Sequence, residues 1–204
     1  MQIIKIFILK ELQLTLAILQ TQTTDASGEV QFTDIPVGTG YTLETLVATI
    51  PDGYQAYIDS DFEVEENMPE TLIGLEPEAG NDLTLDVKVV NGLISLLPVS
   101  GAVFNVFADA GKTQLLGQFT SDASGEFSIP HLVGSTAGRS YYISQVTAPT
   151  GYYPASDQTV VILKATTPDE LVIVNPFLIG FDAKVSDANY SNMTFEGVDV
   201  QISK

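Results

Sequence analysis

The chain offers little catalytic chemistry. His131 is its single histidine, and its 204 residues include no cysteine and no tryptophan. Histidine-dependent catalysis would rest on that one ring, and no Gly-x-Ser-x-Gly elbow accompanies it. His131 follows a strand-like run and precedes Val133-Gly134, which reads as a surface loop. The lack of cysteine removes disulfides, thiol catalysis and Cys-ligated zinc. Oxygen ligands are the remaining possibility. The phrase TTDASGEV (23–30) recurs as TSDASGEF (120–127), and its Asp and Ser oxygens could converge on calcium. The phrase lacks the dense acidic set that calcium prefers. A turn accounts for the same residues. Asp25 and Asp122 can each bind the backbone two residues on. Gly28 and Gly125 supply the left-handed residue of a short hairpin loop. The expected metal and cofactor content is none. The acidic run EVEEN (63–67) reads as a solvated edge. The sequons at Asn189 and Asn192 read as polar loop.

The elements that carry these residues repeat. Asp25 and Asp122 lie 97 residues apart, and at that offset Phe7 falls on Phe104, Val30 on Phe127 and Phe32 on Ile129. GYTLETLVATIPDGY (40–54) parallels SYYISQVTAPTGYY (140–153), and MPETLIGLEP (68–77) parallels TPDELVIVNP (167–176). FDAKV (181–185) resembles LDVKV (85–89). Such self-similarity signals an array of like modules. The expected organisation is a repeat over 1–80 that lacks its first strand, a complete repeat over 81–178, and the start of a third over 179–204. Met1 corresponds to Pro98, so nothing in the first copy matches LTLDVKVV (83–90). Two readings follow. Either the sequence is a piece of a longer array, or the tail of one molecule adds a strand to the first copy of another.

Within the complete repeat, apolar alternation predicts strands over 83–90, 102–108, 113–120, 125–130, 140–146, 158–165 and 171–175. Seven short strands between Gly, Pro, Asp and Asn turns read as a β-sandwich. No segment sustains a helical period. KELQLTLAIL (10–19) alternates, which favours strand and counts against a signal peptide, as do Lys10 and Glu11 within the apolar run. No apolar run approaches the length of a membrane span. The 26 acidic residues against 8 basic ones give a net charge of −18. That balance speaks against nucleic-acid partners and for solubility. Tyr141, Tyr142, Tyr152 and Tyr153 divide between core and rim in the expected sandwich, or form an aromatic ligand patch.

Three segments in order carry a family resemblance. GAVFNV (101–106), TSDASGEF (120–127) and YYISQVTAPTGY (141–152) resemble the B-type repeat of collagen adhesin, also called the pilin-type, SpaA-like or prealbumin-like domain. The resemblance implies an all-β fold of tandem seven-strand, prealbumin-like (Ig-like) sandwiches on a Gram-positive, cell-wall-attached extracellular protein. It implies a non-catalytic stalk or spacer whose partners are neighbouring repeats. Two other roles stay open: an adhesive module contacting host matrix protein or glycan, and a transthyretin-like accessory domain of a secreted enzyme.

Many members of this family close a Lys–Asn isopeptide bond beside a buried acid. The corresponding positions here are Lys88 and Asn175, with Gln145 at the acid position. In the first copy the acid position falls on Thr45 and the amide position on Glu76. Leu83, Leu85, Val87 and Val89 form one face of their strand, which sends Lys88 to the other. A bond there would need a bulge or a one-residue slip. The expectation is that it does not form.

Overall fold

A computed structural model describes residues 3–8, 17–94 and 97–178, together with 185, 186, 188, 189 and 194, and describes side chains from residue 20 onward. The described residues are almost entirely β. Four strands come first: β1 (Ile3–Ile8), β2 (Ala17–Thr23), β3 (Gly38–Thr45) and β4 (Ile58–Val64). Seven follow: β5 (Asp82–Asn91), β6 (Val103–Phe107), β7 (Leu115–Thr120), β8 (Glu126–Val133), β9 (Arg139–Thr147), β10 (Gln158–Ile162) and β11 (Leu171–Asn175). A 3-10 turn at Val47–Thr49 interrupts the first set.

β5 to β11 build a two-layer sandwich. One sheet has the order β10-β9-β6-β7 and the other β11-β5-β8. β5 is the central strand of the smaller sheet, parallel to β11 and antiparallel to β8. Its alternation buries Leu83, Leu85, Val87 and Val89 and turns Asp86 and Lys88 outward. Those side chains meet Phe104 and Val106 of β6, Ile143 of β9 and Ile129 of β8 in one cluster. Phe104 stacks on Phe127 with ring centroids 5.3 Å apart. Burying a side chain of this size is worth roughly 1.5–3 kcal/mol, so this cluster dominates the fold's stability.

The first four strands form a sheet of order β2-β1-β3-β4, the same connectivity as β7-β6-β9-β10. Among its described side chains Tyr41, Leu43 and Thr45 are buried, and Val30, Phe32, Ile35 and Ile73 pack half-buried against Tyr41 and Leu43. Residues 29–36 occupy the place of β8 in the repeat, yet they form no strand.

The observed strands follow the predicted ones, and the differences have local causes. β7 starts at Leu115 because Asp109 accepts hydrogen bonds from the backbone N–H groups of Thr113 and Gln114 and holds 109–114 in a turn. β8 runs on to Val133, so His131 lies in a strand and not in the expected loop. A bulge opposite Leu83 and Leu85 accommodates His131 at φ +60°. β10 stops at Ile162, where Leu163 bridges to Ser135. Of KELQLTLAIL, Ala17–Leu19 begin β2, and residues 10–16 lie outside the described set.

Candidate functional site

The two twin phrases form the same turn. Asp25 Oδ1 accepts from the N–H groups of Ser27 (2.8 Å) and Glu29 (3.0 Å), and Asp122 Oδ1 accepts from those of Ser124 (2.8 Å) and Glu126 (2.9 Å). Gly28 and Gly125 adopt φ of +83° and +76°. The carboxylates are thus occupied by backbone donors.

The three isopeptide positions separate into a pair and an outlier. Gln145 Oε1 accepts from Asn175 Nδ2 (2.9 Å) and from the Ala155 N–H (2.6 Å). Asn175 Nδ2 also donates to the Tyr153 carbonyl. Asn175 is fully buried, and its Oδ1 has no hydrogen-bond partner among the described residues. Lys88 stands on the opposite face of β5, paired with Glu126. The hydrogen bond it donates to Glu126 raises its pKa above the ordinary lysine value. An amide-forming nucleophile needs a neutral, desolvated amine, and Lys88 is held charged. Gln145 is an amide and supplies no proton. In the first copy Thr45 takes the place of Gln145: its Oγ1 accepts from the Tyr57 N–H at 2.9 Å. The amide position shifts by one from the sequence alignment. The Gln55 N–H donates to the Glu76 carbonyl as the Tyr153 N–H donates to that of Pro176, which matches Leu75, and not Glu76, to Asn175.

A second constellation escaped the sequence reading. It joins the two sets of strands. Asn81, fully buried just before β5, uses every hydrogen-bonding position of its carboxamide. Nδ2 donates to the carbonyls of Gly53 and Gly134, both at 3.0 Å. Oδ1 accepts from the N–H groups of Gly134 (3.2 Å) and Ala165 (2.9 Å). Beside it the loop Pro51-Asp52-Gly53-Tyr54 docks on the second sandwich. Asp52 accepts from the Thr136 N–H (2.6 Å) and from Lys164 Nζ (3.3 Å). Lys164 also donates to Glu78 at 2.7 Å. Arg139 donates to the Asp52 carbonyl and to the Tyr54 hydroxyl, and its guanidinium lies 5.0 Å from the Tyr54 ring centroid. A Cβ on Gly53 would stand 2.2 Å from the Gly134 carbonyl oxygen, so the two loops meet only because residue 53 is glycine. Backbone bonding lowers the Asp52 pKa, with Lys164 adding to the effect, and the Glu78 hydrogen bond raises that of Lys164. The arrangement fastens the three loops, and Lys164 within it is held charged by Glu78 and Asp52.

Residues 96–176 match the family described as SpaA, prealbumin-like fold domain. This segment has a SpaA-like, prealbumin-like fold. The SpaA-like segment spans β6 to β11 and omits β5 entirely, although β5 is the central strand of the smaller sheet.

Solved structures of low identity are also similar. The chain aligns to a streptococcal ancillary pilin at 20% identity and TM-score 0.43, over 87% of this chain and 57% of that one. It aligns to the shaft pilin SpaA of Lactobacillus rhamnosus GG at 14% identity and TM-score 0.42, over 89% of each chain. The TIE protein of Bacillus anthracis aligns at 15% identity and TM-score 0.40 over 87% of this chain, which spans only 31% of that protein. A search of curated proteins gave no match.

In the SpaA-like domain the tyrosines divide between core and rim. Tyr141 is buried, and its hydroxyl donates to the Val133 carbonyl and accepts from the Val133 N–H. Tyr152 accepts from Asn91 Nδ2 and meets Phe177 edge-on at 5.2 Å, while Tyr153 is exposed. His131 is exposed, with Nδ1 3.2 Å from Asp82. Glu63, Glu65 and Glu66 are exposed at the end of β4 and beyond. Asn189 is a described surface residue, and Asn192 lies outside the described residues.

Proposed function

We propose that the chain is a structural spacer of a pilin-like, cell-wall-attached extracellular protein, in which like modules are stacked at a fixed angle. The supporting observation is the polar joint at Asn81. A freely hinged tandem has no use for a buried carboxamide with four protein partners, because each ordered group costs conformational entropy. The joint has the opposite character: it orders three loops at one point, with two cationic side chains laid across the seam. The SpaA-like fold of 96–176 agrees with this role. No described helix is long and apolar enough to cross a membrane.

Small-angle scattering together with inter-unit residual dipolar couplings tests the reading. A spacer returns one orientation of the two sheet sets; couplings that fit only a broad orientational ensemble would overturn it. The alternative, an adhesive module, predicts saturable binding of the intact chain to matrix proteins or glycans in a solid-phase screen.

By the same proposal the stalk carries no isopeptide bond, since Lys88 and Asn175 do not share a face. Its stability then comes from noncovalent contacts alone.

A further inference from the structure

Asn-Gly occurs once in the sequence, at Asn91-Gly92, where β5 ends. Asparagine before glycine is the pair most prone to deamidation, because glycine sets no side chain between its nitrogen and the carboxamide. The Gly92 nitrogen would lose its proton to hydroxide, attack Asn91 Cγ and expel Nδ2, which takes a proton from water and leaves as ammonia. Water then opens the succinimide at either carbonyl and yields aspartate or isoaspartate. The net change replaces one NH2 by OH.

The fold prepares the electrophile and restrains the nucleophile. Asn91 is 4% exposed. Its Oδ1 accepts from the N–H groups of Leu93 (2.7 Å) and Ile94 (2.9 Å). Those donors face the oxygen on which negative charge develops during attack. Its Nδ2 donates to the Tyr152 hydroxyl at 3.0 Å. Gly92 itself is exposed, yet its N–H donates to the Asn175 carbonyl at 2.8 Å. That bond keeps the proton from hydroxide and the nitrogen in the β5–β11 ladder, where Asn91 pairs with Asn175.

The restraint thus belongs to β11, the strand best suited to lift. β11 has five residues, lies at the edge of its sheet and has β5 as its one strand partner among the described residues. Val172 and Val174 are each 51% exposed, and Ile173 is its buried anchor. An open groove of about 460 Å³, lined by Asn91, Gly92, Val172 and Val174 among others, brings solvent to the Asn91-Gly92 peptide. Short edge elements with few buried contacts open at a lower free energy than the whole fold.

We propose that Asn91-Gly92 is a deamidation site gated by β11, and that its reaction makes an opening of that strand permanent. While the Asn175 carbonyl holds the Gly92 N–H, the site is silent. When the end of β11 lifts, hydroxide reaches the Gly92 N–H and the carboxamide reacts. Neither product restores the closed strand. Aspartate puts a charge at a buried position of a chain already at −18. Isoaspartate lengthens the main chain by one methylene and moves Gly92 off Asn175. The inference concerns β5 and β11 and stands apart from the spacer reading, which rests on the joint.

The test incubates the intact chain in mildly alkaline buffer and reads the tryptic peptide 89–112 by mass spectrometry. An isoaspartate-specific methyltransferase label gives a second readout. In urea the peptide should exchange NH2 for OH at Asn91. In the folded chain the exchange should be at least about tenfold slower. Ile173→Ala removes the anchor of β11 and should raise the folded rate at least about tenfold. Ile129→Ala, an equally buried change in β8 across the same sheet, should raise it less at a matched loss of global stability. The milder pair Ile173→Val and Ile129→Val gives the same comparison where an alanine variant does not fold. Asn91→Asp, the aspartate product itself, should speed amide exchange over 171–175 at least about tenfold and leave β9 unchanged. Three outcomes overturn the proposal. One is an equal rate in the folded and unfolded chains. Another is equal acceleration by the β11 and β8 variants, which makes the opening global. The third is Asn91→Asp with β11 exchange like that of the parent.

Discussion

At the scale of single residues, the decisive side chain is the least conspicuous. Asn81 sits in Gly80-Asn81-Asp82, which reads as a turn, and nothing local announces a role. Its partners lie at 53, 134 and 165, so its function exists only once three loops have converged. Gln145 and Asn175 were legible for the opposite reason: each lies on an alternating strand whose inward face can be counted from the sequence. Two predictions belong here. Asn81→Ala leaves the Gly134 N–H and carbonyl and the Ala165 N–H without that partner, while the Gly53 carbonyl keeps the Glu78 N–H; the loss should cost about 3 kcal/mol in chemical denaturation and broaden the inter-unit dipolar couplings. An Asn81→Ala protein with unchanged couplings would show that the carboxamide does not hold the joint. The twin glycines provide an internal comparison. Gly125→Ala combines left-handed strain with a clash against Val89 and should cost about 2 kcal/mol or more. Gly28→Ala carries the strain alone, about 1 kcal/mol. Equal losses in the two variants would show that the close approach to the Val89 carbonyl adds nothing to the cost at Gly125.

At the scale of elements, strands are legible where alternation and a pairing partner coincide. β5 to β11 satisfy both, and their observed bounds stay within a few residues of the predicted ones. EVQFTDIP (29–36) has alternation similar to that of β8 and still forms no ladder, because a strand is defined by its neighbours. The bulge at His131 was illegible because it depends on the register between β5 and β8 across 49 residues of separation. The parallel register of β5 and β11 also sets the chemistry. It pairs Lys88 with Val172 and Asn91 with Asn175, while alternation keeps Lys88 outside with Glu126. Intact-mass spectrometry of the purified chain should therefore give the full sequence mass, without the loss of one ammonia that a Lys–Asn bond requires. A mass lower by one ammonia would place Lys88 inside the sandwich and invalidate the observed register.

At the scale of the whole molecule, charge and joint act in opposite directions. The net charge of −18 pushes the parts of the chain apart, and the only Arg plus one of seven Lys residues lie across the seam. Two ionised groups there have shifted pKa values. Asp52 is held below the ordinary 3.8 by the Thr136 N–H and by Lys164. A depressed carboxyl contributes fully above its unfolded pKa, and that contribution is lost as pH falls through the folded value. Lys164 is raised above 10.5 by Glu78 and Asp52. A raised amine contributes fully below its unfolded pKa, and that contribution is lost as pH rises through the folded value. The joint should thus hold one orientation between about pH 4 and pH 10 and loosen on either side. The acid limb separates this mechanism from bulk repulsion. Protonating carboxylates takes the net charge from −18 through zero near the sequence pI of 4.1 to a smaller positive value, so repulsion alone would leave the molecule tighter in acid than at pH 7. Loss of the Asp52–Lys164 pair predicts the reverse, a broader distribution of inter-unit orientations in acid. Asp52→Asn keeps an acceptor for Thr136 and removes the charge, so its couplings at pH 7 should shift toward those of the parent chain in acid. If the variant and the parent respond identically across the whole range, the ion pair is not what fixes the angle, and Asn81 alone must carry it.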